Sequence, residues 1–353
     1  MPAAAGPRAA WPLHDGHVRK HARLPPGPAQ GGGNVDLLEL LKAAIYGVVE
    51  GITEWLPVSS TGHMLLLEQF MPLVVSKDFW DMFLVVIQLG AILAVLVAFF
   101  HELNPFSRSK SAGERRSTWM LWGKTVVACI PAAAVGLPLD NWIEDHLGSP
   151  FVIAAALIAY GIVFIVIEAA RERRARCLMS APSAARPSGP YHPRHLAASA
   201  SQPQQGLSVS QAADADARIQ DIEDLDWKTA LGIGLFQVLS IVPGTSRSGS
   251  TIIGGLILGC SRTVVAQFTF YLAIPVMAGA SGLRLVKYFL KGNSFSTFEV
   301  ATLLTGCAVA FVVSLAAIRF LMGFVKRHDF KPFGWYRIAL GVAVTAYFAL
   351  VAA

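Results

Sequence analysis

The chain is poor in charge. Only 15% of its 353 residues are charged, against about 25% in an ordinary soluble domain, and Asp and Glu together number 23. That scarcity disfavours a cytosolic globule. The 54% hydrophobic content and mean hydropathy of +0.51 exclude a disordered chain. Cysteine is scarce as well: Cys129, Cys260 and Cys307 lie in apolar runs, Cys177 lies beside arginines, and no C-x-x-C pair occurs. Neither a zinc site nor a disulfide framework is indicated. The net charge of +6 arises from Lys and Arg that flank apolar runs, where the positive-inside rule accounts for them without nucleic acid.

What the sequence does have is long apolar stretches. Uncharged runs occupy 82–100, 147–167, 263–283 and 300–318, each long enough for one bilayer crossing at about 1.5 Å per residue. Residues 117–139 carry only Lys124 and 332–353 only Arg337. Each is expected near a span end, where a long basic side chain reaches the interface. The expectation is an all-α polytopic membrane protein with about six crossings.

Residues 1–34, rich in Ala, Pro, Gly and basic side chains, lack the continuous apolar core of a signal peptide and read as a disordered tail. The amphipathic pattern starts near Val35, which makes Val35 a candidate translation start. Residues 35–353 then form one membrane-embedded domain with a soluble insert at about 171–227. The insert opens on Arg171, Arg173, Arg174 and Arg176 and closes on an acidic run from Asp214 to Asp226, and it reads as a loop. The basic segments 101–118, 171–176 and 326–331 are expected in the cytoplasm, and the acidic connection with Asp140, Glu144 and Asp145 outside. Both termini then lie outside.

Two further apolar segments, 36–70 and 229–261, are too interrupted to cross simply, and they resemble each other. The first reads Gly47-Val-Val-Glu50 and then Pro57-Val-Ser59-Ser60; the second reads Gly234-Leu-Phe-Gln237 and then Pro243-Gly-Thr245-Ser246, with one gap. Phe83 to Ile87 followed by Gln88 likewise parallels Phe270 to Ile274 followed by Pro275. The duplicated units span about 35–100 and 227–285. Three crossings, an odd number, separate the broken segment 36–70 from 229–261, so the two breaks enter the membrane from opposite sides. That is an inverted repeat of re-entrant helix pairs, broken at Pro and Gly and meeting near the midplane.

The first break, Glu50 to His63, sets two carboxylates, four hydroxyls and an imidazole in an apolar stretch. Such groups are expensive at membrane depth unless they face water, a partner or a ligand. Glu50 and Glu54 share a helical face. They can share a proton, hold a divalent cation such as Mg²⁺ or Ca²⁺, or orient a nucleophile and its acid. Ser60 and His63 are spaced to bring nucleophile and base to one group. The second break, Pro243 to Thr251, places Arg247 among small and hydroxylic residues, a pattern that clamps an anion at a helix N-terminus. Together the breaks specify a phosphoryl-transfer site within a membrane.

The segments E-G-x-T-E-W-L-P-V-S-S-T-G-H (Glu50 to His63) and P-G-T-S-R-S-G (Pro243 to Gly249) resemble the two signature motifs of the bacterial undecaprenyl-diphosphatase, or bacitracin-resistance, family. The resemblance runs from about Val35 to the C-terminus. It implies hydrolysis of undecaprenyl diphosphate, the lipid carrier of cell-wall synthesis, by a multi-pass protein of the bacterial cytoplasmic membrane. The family fold it points to is six crossings plus two re-entrant pairs, often dimeric, with the site opening outward. Glu50, Glu54, Ser60, His63 and Arg247 take the catalytic positions, with Glu50 and Glu54 as ligands of any divalent metal. Ser59, Thr61, Gly244, Ser246, Ser248 and Gly249 line the diphosphate. In the mechanism expected, Ser60 attacks the terminal phosphorus while His63, oriented by Glu54, relays the proton; His63 as nucleophile is the alternative. Thr245 stands where the family often has Phe, a difference expected to alter packing only. A polyprenyl-phosphate flippase using the same inverted-repeat site is the competing function.

Overall fold

The structure is a computed structural model that describes residues 36–180 and 208–352. The N-terminal tail, the Val35 start and the middle of the insert lie outside the described residues. The described chain is helical, with no strand among these residues. A first broken pair, α1 (Leu37–Thr53) and α2 (Ser60–Phe70), precedes a span split into α3 (Lys77–Val86) and α4 (Gln88–Ala98). After a short α5 (Phe100–Leu103) come α6 (Ala112–Leu147) and α7 (Pro150–Ser180). The insert contributes α8 (Val209–Ala215). The second pair is α9 (Trp227–Val238), extended by a 3₁₀ turn over Leu239–Ile241, and α10 (Arg247–Ile257). α11 (Arg262–Leu290), α12 (Thr297–Val325) and α13 (Lys331–Ala352) complete the chain.

Six helices are long and apolar enough to cross a bilayer: Lys77–Ala98, Ala112–Leu139, Pro150–Ser180, Arg262–Leu290, Thr297–Val325 and Lys331–Val351. Their starts follow local sequence. Ser111 with Glu114 and Ser296 with Glu299 form capping boxes on α6 and α12, and Ser261 caps α11 through the Val264 N–H. The acidic stretch expected as a connection between spans is instead the last turns of α6. Likewise the arginines that open the insert are helical, because α7 continues to Ser180.

Packing reveals the duplication. α1 lies on α12, α9 lies on α6, and α7 packs against α13. The matching glycines Gly47 and Gly234 make the two exchanged contacts. A Cβ at Gly47 would sit 2.6 Å from the Gly306 carbonyl oxygen of α12, and one at Gly234 would sit 2.2 Å from that of Ala128 on α6. The repeat therefore includes the span after each pair, and each half lends its first helix to the other. α11 occupies the centre, with Phe268, Phe270 and Tyr271 fully buried. The first repeat's counterpart of α11 is interrupted at Ile87, whereas α11 stays helical through Pro275.

A polar clamp closes one end of the bundle. The Arg262 guanidinium donates to both oxygens of Glu168 at 2.8 and 2.6 Å, both side chains being buried, and Glu168 also accepts from the Phe330 N–H. Asp214 accepts from the Arg262 N–H and from Arg171, which ties the insert helix α8 to α7 and α11. Lys124, expected near an interface, is buried in α6, because α9 packs over that part of the helix.

Candidate active site

α1 ends at Thr53 with Glu54 as its C-cap, and six residues later the chain restarts as α2 at Ser60. The second pair repeats the geometry, the 3₁₀ turn ending at Ile241 and α10 starting at Arg247. Ser59 and Ser246, the residues before α2 and α10, have φ of 72° and 70° and are the two non-glycine residues of positive φ among those described. That conformation is strained for an L-residue. It occurs twice because each break reverses the chain in the same way. Structurally Ser59 therefore matches Ser246 and Ser60 matches Arg247, the same offset that relates Gly47 to Gly234 and Phe83 to Phe270, so the two units align without a gap and Pro57 falls opposite Gly244. Gly244, with φ of +94°, lies against the backbone of Ile153, where a Cβ would stand 2.6 Å from its carbonyl oxygen.

The breaks bring α2 and α10 together by their N-termini, the positive ends of both helix dipoles. Between them sits Glu54. Its Oε2 accepts from Ser60 Oγ at 2.9 Å, its Oε1 pairs with Arg247 Nη2 at 3.1 Å, and its carbonyl accepts from Ser248 Oγ at 3.2 Å. Arg247 also donates through Nη1 to the Thr269 carbonyl and lies 5.9 Å from the Trp55 ring centroid. Its Nε has no partner, and neither do the buried Glu50 Oε1, Trp55 Nε1 and Ser59 Oγ. Buried polar atoms are nearly always satisfied. Unpartnered donors and an unpartnered carboxylate oxygen gathered at one place mark a site for a polar ligand.

His63 stands apart from this group. Its Nδ1 contacts the Ser59 carbonyl at 2.8 Å, and its Nε2 contacts the Tyr336 hydroxyl at 2.7 Å, the two rings stacked at 5.6 Å between centroids. A carbonyl only accepts, so the network assigns the proton to Nδ1 and makes the Tyr336 hydroxyl the donor to Nε2. Among the described contacts, no hydrogen bond joins His63 to Ser60 or Glu54. Thr61 is exposed, while Gly244, Ser248 and Gly249 are buried. Ser246 Oγ accepts the Gly249 N–H at 3.2 Å and thereby caps α10; Ser59 makes no such cap.

The largest departure from the sequence expectation is Arg337. It is fully buried rather than at an interface. Its guanidinium donates to the Pro57 carbonyl of the first break at 3.2 Å and to the Gly244 and Thr245 carbonyls of the second at 2.8 and 2.9 Å. It also lies 5.4 Å from the Tyr160 ring centroid. The break carbonyls, freed when the helices stop, supply acceptors that a bilayer interior lacks. One arginine thus joins both breaks. The signal was present, a lone charge in an apolar run, the same signal that singled out Arg247. Tyr336 offered no comparable signal. Thr245 also does more than pack: its hydroxyl donates to the Leu239 and Val242 carbonyls, which phenylalanine cannot do.

Among the described residues no cluster of three or more His, Cys, Asp or Glu is placed to hold a metal. The chemistry of the donor set suits a divalent cation only in part. Glu50 offers a carboxylate oxygen without a partner, while both Glu54 oxygens are engaged. A cation there would complete its shell with phosphate oxygens and water, as Mg²⁺ commonly does.

A family model described as "Bacitracin resistance protein BacA" matches residues 43–343. Among curated relatives, "Undecaprenyl-diphosphatase" of Streptococcus thermophilus (strain ATCC BAA-250 / LMG 18311) is 50% identical over 314 residues, 89% of this chain and 95% of the relative. Its namesake in Streptococcus agalactiae serotype Ia is 50% identical over 315 residues, 89% and 98% of the two chains. That of Lactiplantibacillus plantarum is 45% identical over 315 residues, 89% of this chain and all of the relative.

Proposed function

The chain belongs to the BacA bacitracin-resistance family, and on that premise we propose that it performs the reaction for which its relatives are named. It is a multi-pass membrane hydrolase that cleaves undecaprenyl diphosphate to undecaprenyl phosphate and inorganic phosphate. The observation that carries this reading is the meeting of Ser60, Glu54 and Arg247, drawn from both breaks, in a buried site. The relatives named above are hydrolases, which leaves the transport alternative without an observation of its own.

In the proposed mechanism the polyprenyl tail stays in lipid or between spans, and only the diphosphate enters. Arg247, the N-termini of α2 and α10, and the hydroxyls of Ser59, Thr61, Ser246 and Ser248 bind it, with Gly244 and Gly249 allowing the backbone close approach. Ser60 Oγ attacks the terminal phosphorus as its proton passes to Glu54, the carboxylate already within hydrogen-bond distance. The bond to the bridging oxygen breaks and undecaprenyl phosphate leaves. Water then attacks the phosphoserine, giving its proton to His63, and Ser60 recovers its own from Glu54. A divalent cation, Mg²⁺ or Ca²⁺, would be held through the unpartnered oxygen of Glu50 and would neutralise charge on the diphosphate, Glu54 being engaged by Ser60 and Arg247.

The proposal also includes a bacterial cytoplasmic-membrane location, a site facing outward and pairing as a homodimer. Basic segments on one side of the bundle support the orientation. A reporter fused after Ala353 that proved cytoplasmic would overturn it, and a mass of the detergent-solubilised protein matching one chain would overturn the dimer. The reaction itself is tested by phosphate release from undecaprenyl diphosphate by purified wild type, Glu54→Ala and Arg247→Ala. Release should be lost in both variants, and equal release from all three would sink the assignment.

A further inference from the structure

The lipid-facing side of α12 carries one feature that the reaction does not use. Arg319 lies within this span, six residues before its end, and is exposed. An arginine on the lipid face of a span is costly unless its head reaches the interface or an anion. Four residues later on the same face comes Gly323, and Lys326 and Arg327 follow in the turn that ends the helix. These residues, with Phe320, Phe324 and His328, line an open concavity of about 490 Å³. Gly323 is its floor, for a Cβ there would meet no atom within 4 Å. Arg319, Lys326 and Arg327 make no ion pair or side-chain hydrogen bond among the described residues. No acid lines the concavity.

We propose that this notch binds the phosphate of an acidic membrane phospholipid, with Arg319 and Arg327 gripping it from either side of Gly323. The charge is complementary to a phosphodiester, and two guanidiniums supply paired donors for its oxygens. Phe320, 57% exposed, and Val312 two turns further into the span, 64% exposed, continue the same face as apolar wall for an acyl chain. A lipid supplies both halves of this arrangement: the phosphate sits at the helix end, where the headgroups lie, and the acyl chain runs along the span. Basic pockets at span ends bind acidic lipids by this logic.

The test uses the purified full chain in neutral detergent, titrated with phosphatidylglycerol or phosphatidylcholine and read by native mass spectrometry. Wild type should retain phosphatidylglycerol in preference, and Arg319→Ala and Arg327→Ala should each weaken that retention about fivefold. Gly323→Leu keeps every charge but fills the notch, so it should lose the lipid too. Phosphate release by all three variants in detergent should equal wild type, which certifies their fold. Equal retention of both lipids, undiminished retention by Gly323→Leu, or displacement of the lipid by inorganic phosphate would each overturn the proposal. So would a dimer that Arg319→Ala dissolves while the lipid count per chain stays the same, since a second copy would then be the occupant.

Discussion

Glu54 and Arg247 are 193 residues apart in the chain, yet their side chains meet at 3.1 Å, each about nine-tenths buried. The pair binds one break to the other across the inverted repeat. Its carboxylate also holds the hydroxyl of Ser60, so stability and chemistry converge on one group.

Removing one partner and then both should separate these roles. Glu54→Gln leaves the Arg247 charge buried and unpaired, which costs about 3–5 kcal/mol, and it removes the proposed proton acceptor, lowering phosphate release about 10²- to 10⁴-fold. The joint Glu54→Gln, Arg247→Gln variant should regain part of the stability and none of the activity. Thermal unfolding and phosphate release, measured together, check both.

A trapped intermediate identifies the nucleophile. Rapid quenching after mixing with undecaprenyl diphosphate labelled in its terminal phosphate should place the label on Ser60, as located by peptide mass spectrometry. Label on His63 would instead support the alternative attack.

Arg337 holds three carbonyls from two breaks, each of which costs about 1–3 kcal/mol to leave buried without a donor. Arg337→Met should lower the unfolding temperature and abolish release. Arg337→Lys should rescue little, because an ammonium cannot span carbonyls that a planar fork reaches together. Release unchanged in Arg337→Met would show that the breaks hold without it.

Gly47→Ala and Gly234→Ala should destabilise alike. Each adds a Cβ within 3 Å of a carbonyl oxygen on the exchanged helix, and overpacking of this kind costs about 1–3 kcal/mol. Parallel thermal shifts would support the swapped packing of the halves; a shift in one variant alone would contradict it.

At the start of α9, outside the spans, the Thr229 N–H donates to Asp226 at 2.6 Å and holds its carboxyl below the usual range. A lowered folded-state value means that the cap stabilises above the unfolded value and is lost as pH falls through the folded one. The protection of the first-turn amides of α9 against exchange, taken relative to their intrinsic rates at each pH, should therefore fall in acid. Asp226→Asn, which still accepts the bond, should flatten that dependence.

Local patterns made much of this protein legible. Run lengths of apolar residues, four uncharged and two with a single basic side chain, marked the six spans, because a bilayer demands about 20 apolar residues whatever surrounds them. The Glu50–His63 and Pro243–Thr251 segments declared themselves because polar groups at that depth need a reason. Other features were hidden for a physical reason. Whether Lys124 faced an interface depended on α9, and whether Arg337 did depended on carbonyls from two distant breaks.

The sequence by itself therefore determined the spans, the two breaks and the residue types available for chemistry, all of which follow from short-range composition and spacing. Only the tertiary structure decided the partners. Ser60 meets Glu54 rather than His63, His63 meets Tyr336, and Arg337 joins the breaks. Those choices depend on how the two halves interlock, each packing its first helix on the other. No spacing within either half encodes the Glu54–Arg247 pair or the carbonyls that Arg337 reaches.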